Sequence, residues 1–362
     1  MKLGVLKETS DQRVAIIPDT IPKLKQLGID LLIESGAGAL ASYQDESYQE
    51  HAQVLDRSTI LKDADVIVSI DPLGEAELKK VSSKQWLISQ FQPFNDATIV
   101  EQLSGAQLNA FSLDMIPRTT LAQSMDILSS MASVAGYKAV LEAARLLPRY
   151  FPMMITAAGS IKPSKVLVLG AGVAGLQAIA TARRLGAMVE AFDTRTAAKE
   201  EVLSLGAKFV EVEGAKEDTG AGGYAVEQSE DFLKRQRAEV QARAIKADVI
   251  ITTAQVRGRK APLLVPASTV EQMKPGSVII DLASSTGGNC ELSKDNQVVV
   301  HKGVSIYGNS NLAALMPQDA SALYSTNLYN FLKHITKEGQ LELRMDDEIT
   351  AGARITPSYK PE

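Results

Sequence analysis

The stretch from Lys165 to Asp193 constrains the fold of this chain more than any other part of its sequence. It reads KVLVLGAGVAGLQAIATARRLGAMVEAFD: an apolar run, a GxGxxG pattern, the apolar spacing of a helix, and a second apolar run that ends in an acid. A strand, a tight turn, a helix and a parallel second strand account for this order. The sequence therefore predicts a doubly wound α/β domain that binds a dinucleotide.

Each glycine of the turn has a separate role in such a site. Gly170 permits the tight turn, Gly172 lets a pyrophosphate approach the backbone, and Gly175 lets helix and strand pack closely. Val173 and Ala174 begin the helix, whose unpaired N–H groups suit phosphate oxygens. All five residues are therefore predicted to lie against a bound dinucleotide.

The acid that ends the second strand predicts which dinucleotide binds. The Asp193 carboxylate would accept hydrogen bonds from the adenosine ribose and repel a 2′-phosphate, which favours NAD over NADP. Thr194 and Arg195 follow it and are candidate contacts. Arg195 keeps NADP open as the alternative, since an arginine near this place can accommodate a 2′-phosphate.

Three further segments are predicted to border the same site. Ligands on parallel sheets lie outside the carboxyl ends of the strands, and residues 252–262 and 281–291 each leave such an end. Thr253, Ala254 and Leu282 are the candidate contacts there. Residues 214–230 contain several glycines and Tyr224, and they are predicted to form a mobile flap, the alternative being a surface loop without a role.

A second glycine pattern, GAGALA at residues 36–41, resembles the first. The stretch that follows it, SYQDESYQEHAQVLD, has a polar helical pattern and no evident second strand that ends in an acid. Gly36 and Gly38 are therefore interpreted as a structural turn.

The remaining patterns predict a second α/β domain before the first. Short apolar runs occur at 2–7, 30–35, 65–70, 86–91 and 109–114, and runs after the glycine turn occur at 208–212, 248–253, 277–283 and 298–301. Spacing that leaves room for crossover helices predicts parallel sheets. A long helix from about Leu121 to Leu147 is predicted to join the domains. The helix at 321–335 is expected to pack back on the first domain, which gives domains of 1–128 plus 318–362 and of 129–317.

Composition excludes several classes of function. The net charge of −5 lacks the basic excess with which duplex-binding proteins neutralise phosphates, so no nucleic acid partner is expected. The single cysteine, Cys290, cannot form an intramolecular disulfide, and MKLGVLKETSDQR lacks a signal-peptide core, so a cytoplasmic location is expected. No apolar run reaches about 18 residues, so no transmembrane helix is predicted. The three histidines are scattered, which predicts surface or packing roles and no metal site: His51, His301 and His334.

The segment PRTTLAQSMDILS, residues 117–129, carries a second group of candidate site residues. It combines an arginine, an amide, a carboxylate and a hydroxyl with no histidine, lysine or cysteine nearby: Arg118, Gln123, Asp126 and Ser129. Oxidising an alcohol or amine with NAD needs a group that takes a proton. The candidate catalytic residues therefore lack the base that such a reaction needs.

These motifs, together with KETSDQRVAIIP, AFDTR and IIDLA, resemble the NAD(H)-binding component of proton-translocating nicotinamide nucleotide transhydrogenases, a family that shares its fold with alanine dehydrogenase. The resemblance implies two Rossmann-like domains joined by a long helix, with a cleft between them. It implies that Arg118 lies near the pyrophosphate and carboxamide of NAD(H), and that Asp126 and Ser129 lie on the carboxamide. Gln123 would lie between this nucleotide and NADP(H) on a partner.

The resemblance also implies the reaction and the assembly. Hydride passes directly from NADH to NADP⁺, with defined faces of the two rings, and releases no proton at the reacting carbons, so no base is required. The implied assembly is a homodimer that works only with two membrane partners, a separate membrane chain of the α subunit and the β subunit. It would lie on the cytoplasmic face of the inner membrane and couple hydride transfer to proton movement.

Two alternatives remain at the level of sequence. Alanine dehydrogenases carry a lysine, a histidine and an aspartate at places where this chain has Asp71, Gln92 and Ser285, although Arg13, interpreted here as structural, remains. A non-catalytic NAD(H)-binding module is the second alternative. Ser285 and Gln228 also depart from the acid and the methionine that transhydrogenases commonly carry.

Overall fold

A computed structural model describes residues 1–211, 230–256 and 258–356 of the chain. The chain divides into two compact units. Unit 1 holds Met1–Met131 and the chain from Ala313 onward, and unit 2 holds Ala132–Leu312. The C-terminal segment of the chain therefore belongs to the same unit as the N-terminal segment.

Unit 1 contains a parallel sheet of six strands in the order β3-β2-β1-β4-β5-β6. The order reverses beside β1, as it does in doubly wound sheets. The strands are β1 (Lys2–Val5), β2 (Asp30–Glu34), β3 (Gln53–Leu55), β4 (Val66–Val68), β5 (Trp86–Ser89) and β6 (Asn109–Ser112).

Helices cover both faces of this sheet, and apolar side chains fill the space beneath them. The helices are α1 (Ile21–Gln26), α2 (Asp45–Gln49), α3 (Arg57–Asp63), α4 (Glu75–Leu78), α5 (Thr98–Gly105) and the start of α6 (Ile127–Leu146). Apolar spacing along α6 continues from unit 1 into unit 2.

Unit 2 contains a seven-stranded sheet in the order β11-β10-β9-β12-β13-β15-β14, in which only β14 is antiparallel to its neighbour. A separate two-stranded hairpin, β7 (Met154–Thr156) and β8 (Gly159–Ile161), precedes it. The sheet strands are β9 (Lys165–Leu169), β10 (Met188–Phe192), β11 (Lys208–Phe209), β12 (Val249–Thr252), β13 (Val278–Asp281), β14 (Gln297–His301) and β15 (Val304–Gly308). The helices of unit 2 are α7 (Val173–Arg184), α8 (Ala198–Ser204), α9 (Glu230–Ala244) and α10 (Ala267–Val270).

The chain returns to unit 1 through α11 (Pro317–Ile335), followed by β16 (Thr336–Lys337), β17 (Gln340–Leu341) and α12 (Glu348–Ala353). Tyr324, Leu328 and Phe331 of α11 are fully buried in the unit 1 core. The Ser321 and Ser325 hydroxyls accept hydrogen bonds from backbone N–H groups near the N-terminus, at 2.9 and 3.1 Å. The helix is therefore an integral layer of unit 1.

Three predictions from the sequence are wrong in detail. The stretch after Gly38 is not one polar helix, because only Asp45–Gln49 is helical and the strand Gln53–Leu55 follows it. The joining helix begins at Ile127 rather than near Leu121, because a 3₁₀ turn at Gln123–Met125 precedes it. The strand Val304–Gly308 lies in the interior of the unit 2 sheet and was not predicted.

Candidate functional site

The glycine turn of unit 2 connects β9 to α7 as the sequence pattern predicts. Gly170 has a φ of 104°, a conformation that side chains with a Cβ disfavour, and so the chain reverses there without strain. Gly172 then caps the N-terminus of α7, which begins with the exposed Val173 and the half-buried Ala174. The first-turn N–H groups of α7 therefore lie next to the turn, as a phosphate site requires.

The other two glycines of the motif differ in what surrounds them. A Cβ on Gly175 would lie 1.8 Å from the Gly170 carbonyl oxygen, so only glycine lets the helix pack this closely. A Cβ on Gly172 would meet no protein atom within 4 Å. The open space beside Gly172 leaves the backbone accessible to a pyrophosphate, and the residues of this turn fit a dinucleotide.

A second helix reinforces the turn. A Cβ on Gly136 of α6 would lie 2.1 Å from the Ala174 carbonyl oxygen, so α6 passes directly against the first turn of α7. The predicted cofactor site is thus supported from behind by a long helix of the same unit. Sequence reasoning missed Gly136, although a glycine inside a helical run is a recognised sign of close packing.

Asp193 follows β10 and is held in a dense set of hydrogen bonds. Its carboxylate accepts from the Ala171 N–H at 2.7 Å, from the Arg195 backbone N–H at 2.8 Å, and from Arg195 Nε and Nη2, both at 3.0 Å. Thr194 between them is exposed. The carboxylate is thereby fixed beside the glycine turn, where a ribose acceptor is expected.

The same contacts set the charge state of Asp193. Burial alone would raise the pKa of this carboxyl, but hydrogen bonds from Arg195 and from the Ala171 N–H outweigh it and hold the pKa below its ordinary value. The group is therefore ionised at neutral pH and acts only as an acceptor.

The loops after β12 and β13 are tied together by a buried amide. The Asn289 side chain accepts from the Ala254 N–H at 3.1 Å and donates to the carbonyls of Ala254 and Pro262 at 2.9 and 2.8 Å. Thr253 donates its hydroxyl to the Gly170 carbonyl at 3.1 Å, and the Leu282 carbonyl accepts from Gln255 Nε2 at 2.8 Å. The structure thus brings Thr253 and Ala254 to the glycine turn. Asn289 was not among the predicted site residues.

The polar segment of unit 1 lines a surface pocket of about 340 Å³. Arg118 and Gln123 are exposed or half-buried, and Asp126 and Ser129 are half-buried. The pocket is lined by Pro117, Arg118, Thr119, Ala122, Gln123, Asp126 and Ser129. All four predicted catalytic residues therefore lie in one pocket.

Two of these residues also begin the helix α6. Asp126 accepts from the Ser129 backbone N–H at 2.9 Å and from the Ser129 hydroxyl at 2.6 Å. This is the arrangement of a helix N-cap, in which a carboxylate satisfies a first-turn N–H group. Asp126 and Ser129 are thereby fixed relative to each other, whereas no hydrogen bond is found to restrain the Gln123 side chain among the described contacts.

The loop backbone is held by side chains from the other end of the chain. The Ser124 carbonyl accepts from Asn327 Nδ2 at 2.8 Å and from Asn330 Nδ2 at 3.0 Å, and both asparagines belong to α11. Met125 and Ala122 are buried in the unit 1 core. The 3₁₀ turn that carries Gln123 is therefore anchored, and sequence reasoning found neither asparagine.

Comparison with known proteins places this architecture. The model of the alanine dehydrogenase/PNT N-terminal domain matches residues 4–135, and that of the alanine dehydrogenase/PNT C-terminal domain matches residues 139–358. The chain belongs to the alanine dehydrogenase/PNT family. The two matches meet within α6, the helix that continues from unit 1 into unit 2.

Within the alanine dehydrogenase/PNT family the transhydrogenases are the more similar proteins. The chain is 42% identical to the first of the separate chains that form the NAD(P) transhydrogenase alpha subunit of Rhodospirillum rubrum, with 98% of this chain and 96% of that relative covered. A solved transhydrogenase from Sinorhizobium meliloti has 40% identity and a TM-score of 0.90, with 98% of both chains covered. A solved L-alanine dehydrogenase has 28% identity and a TM-score of 0.78, with 98% of this chain and 94% of that chain covered. The predicted resemblance and the predicted fold class are both confirmed.

The places that distinguish the two branches of the alanine dehydrogenase/PNT family hold other residues in this chain. Asp71 lies after β4 and accepts from the Ser10 hydroxyl, and Gln92 follows β5 with a φ of 50°. Ser285 is exposed, and its N–H donates to the Ser310 hydroxyl. Arg13 is buried and pairs with Asp11 at 2.5 Å, which fits its structural interpretation.

The remaining predicted residues are placed as follows. Tyr224, Gln228 and the predicted flap lie outside the described residues. Gly36 and Gly38 lie in a turn where the Gly36 N–H donates to Asp45 and a Cβ on Gly38 would lie 2.7 Å from the Tyr43 carbonyl. Each histidine is near a carboxylate, and His334 hydrogen-bonds the Asp347 cap of α12 at 2.7 Å. Within 1–211, 230–256 and 258–356, no helix has the length and apolar character needed to cross a membrane.

Glu8 is a buried carboxyl close to Asp11 and Asp71. Burial raises its pKa to about 7, and the neighbouring carboxylates add to this rise, although N–H groups of Ile70 and Asp71 donate to it at 2.6 and 3.1 Å. The folded chain therefore retains a proton on Glu8 at a pH where the unfolded chain, with a pKa of 4.5, has lost it.

This shift predicts a pH-dependent stability that Glu8→Gln removes. The contribution of Glu8 to the free energy of unfolding is fully present below about pH 4.5 and is lost as the pH rises through about 7. We expect the wild type to lose about 2–3 kcal/mol more than Glu8→Gln between pH 5 and pH 8. Denaturant unfolding of both proteins at the two pH values measures this difference, and parallel pH profiles would contradict it.

Proposed function

We propose that this chain is the NAD(H)-binding subunit of a proton-translocating transhydrogenase. In this role it holds NADH on unit 2 while hydride passes to NADP⁺ on a partner subunit. The observation that carries the proposal is the Arg118–Ser129 pocket, which contains no group able to take a proton at neutral pH from an alcohol or amine. NADH supplies the hydride, and the chain supplies position and exclusion of water.

The pocket residues suit this task. Asp126 and Ser129 are preset by the helix cap and offer acceptor and donor atoms to the carboxamide of the nicotinamide. Arg118 provides a fixed positive charge for the pyrophosphate and carboxamide. Gln123 carries an uncharged amide that can both donate and accept, so it can contact two nucleotides without titrating.

The assembly belongs to the same proposal. The name of the Rhodospirillum rubrum relative describes one piece of an alpha subunit and so implies further subunits, and we assign to them the NADP(H) site and the membrane crossing. This chain would then act as a homodimer, peripheral on the cytoplasmic face of the inner membrane. It would transfer hydride between defined faces of the rings, drive proton translocation only in the complex, and catalyse no net reaction alone. The domain boundaries proposed are 1–128 plus 318–362 and 129–317.

The deciding experiment is hydride transfer from NADH to an acetylpyridine analogue of NADP⁺. The purified chain is assayed alone and in a mixture with the soluble NADP(H)-binding component of a related transhydrogenase. A rate that appears only in the mixture supports the proposal. NADH oxidation by the chain alone with pyruvate and ammonia would establish the alanine dehydrogenase alternative instead, and NADH binding without transfer in any mixture would leave a nucleotide-binding module.

Gln123→Asn tests the role of the pocket within this assay. Asparagine keeps the amide but withdraws it by one methylene, so contact with the second nucleotide is lost while the helix cap is untouched. We expect transfer to fall roughly tenfold or more, with the dissociation constant of NADH changed by less than about threefold. Ser124→Ala, an exposed neighbour on the same turn, is the control and should keep the full rate. An unchanged rate in Gln123→Asn would favour the sensing module.

A further inference from the structure

The Asp193 carboxylate has no acceptor capacity left over in its hydrogen-bonded arrangement. Two carboxylate oxygens offer about four acceptor sites. Four N–H donors use them: those of Ala171 and the Arg195 backbone, and Arg195 Nε and Nη2. The carboxylate side chain is only 8% exposed, so new donors cannot simply be added from solvent.

The ribose of an adenosine nucleotide needs some of those acceptor sites. Its 2′- and 3′-hydroxyls are the donors that an acid at this strand end binds. A hydroxyl that arrives while all acceptor sites are used must displace a donor. One of the four present hydrogen bonds therefore has to break when the ribose binds.

The guanidinium of Arg195 is the donor most easily displaced. The Ala171 N–H belongs to the glycine turn, and the Arg195 backbone N–H belongs to the tight bend after β10, so neither can move without moving the backbone. The Arg195 side chain is 41% exposed and sits on a flexible stem. Its head group regains water when it leaves, which keeps the cost of displacement small.

We propose that the Arg195 guanidinium and the adenosine ribose compete for Asp193, so that Arg195 weakens NADH binding. This inference rests on the proposed NAD(H) site of unit 2. Arg195 then has a role opposite to that of a direct cofactor contact. It also lowers selectivity, because it neutralises the carboxylate that repels a 2′-phosphate and can itself pair with that phosphate.

Arg195→Met tests the competition. Methionine keeps some of the apolar stem and removes the guanidinium, so both side-chain hydrogen bonds to Asp193 disappear. We expect NADH to bind roughly three- to tenfold more tightly and NADPH to bind more weakly than in the wild type. Binding is measured by nucleotide fluorescence at fixed ionic strength.

Arg243→Met is the matched control. Arg243 is 40% exposed, lies in the same unit, and is also ion-paired, with Glu190 at 2.9 Å and Glu239 at 2.7 Å. Its removal changes the net charge by the same amount without touching Asp193. The control should bind NADH as the wild type does or slightly more weakly, since a positive charge that attracts the pyrophosphate is lost.

A second ligand isolates the ribose hydroxyls. The 2′,3′-dideoxyadenosine analogue of NADH cannot donate to Asp193, so the gain on Arg195→Met should vanish for it. Weaker NADH binding by Arg195→Met would show that Arg195 contacts the nucleotide directly, and a gain that persists with the dideoxy analogue would show that Asp193 is not contested. Either result overturns the competition. Absence of NADH binding in all three proteins would instead refute the NAD(H) site itself.

Discussion

Gly175→Ala should abolish NADH binding and destabilise unit 2. The added Cβ would lie 1.8 Å from the Gly170 carbonyl oxygen and 2.8 Å from its carbonyl carbon, and both are backbone atoms that cannot rotate away. The helix α7 must then move off β9, or the glycine turn must open. We expect a loss of about 3 kcal/mol or more in the free energy of unfolding, measured by denaturant titration, together with loss of NADH fluorescence enhancement.

Gly172→Ala is the matched change at the other end of the motif. Its backbone dihedrals, −78° and −169°, are open to alanine, and a Cβ there meets no protein atom within 4 Å. Stability should stay within about 0.5 kcal/mol of the wild type, while NADH affinity falls roughly tenfold or more because the methyl group takes the space of the pyrophosphate. Wild-type affinity in Gly172→Ala would contradict the placement of the pyrophosphate, and wild-type stability in Gly175→Ala would contradict the packing argument.

The double variant Asn327→Ala/Asn330→Ala should lose most of its hydride transfer and keep its NADH affinity. Both amides donate to the Ser124 carbonyl, next to Gln123, so their removal frees the 3₁₀ turn of the pocket without changing the glycine turn of unit 2. A displacement of about 1 Å at a reacting centre can reduce a rate by roughly 100-fold. We expect a roughly 10- to 100-fold fall in transfer, with the dissociation constant of NADH within about twofold of the wild type.

Thr326→Ala provides the control for this loop. Thr326 lies on the same helix, is exposed, and donates its hydroxyl to the Ala322 carbonyl one turn earlier. It should keep the wild-type rate. If the double variant lost NADH affinity and transfer in equal measure, the asparagines would serve stability rather than the position of Gln123.

Much of the fold follows from apolar periodicity, and its failures have local causes. Buried parallel strands such as Val278–Asp281 are continuous apolar runs and are readily recognised. Gln53–Leu55 has only three residues, is not fully buried, and lies in a polar stretch. Val304–Gly308 follows β14 after a two-residue turn, in which Lys302 and Gly303 have φ values of 47° and 80°. Lys-Gly is a rare sequence for a turn that favours Asn-Gly, so the hairpin gave no clear signal.

The candidate site divides in the same way. Residues fixed by local geometry, such as the glycine turn and Asp193, are evident because the motif is contiguous in sequence. Asn289, Asn327 and Asn330 act across long sequence separations, and an isolated asparagine carries no periodic signal. The saturation of Asp193 by Arg195 depends on one rotamer, which sequence spacing does not determine.

The return of α11 to unit 1 has a consequence for synthesis on the ribosome. Phe111, which stacks edge-on against Phe331 at 5.4 Å, emerges about 200 residues before its partner. At about 5–20 residues per second, the apolar surface that α11 covers stays bare for roughly 10–40 s. All of unit 2, which ends at Leu312, is translated in that interval. The nucleotide-binding unit can therefore fold first, and the Gln123 turn takes its final position only when the last long helix leaves the exit tunnel.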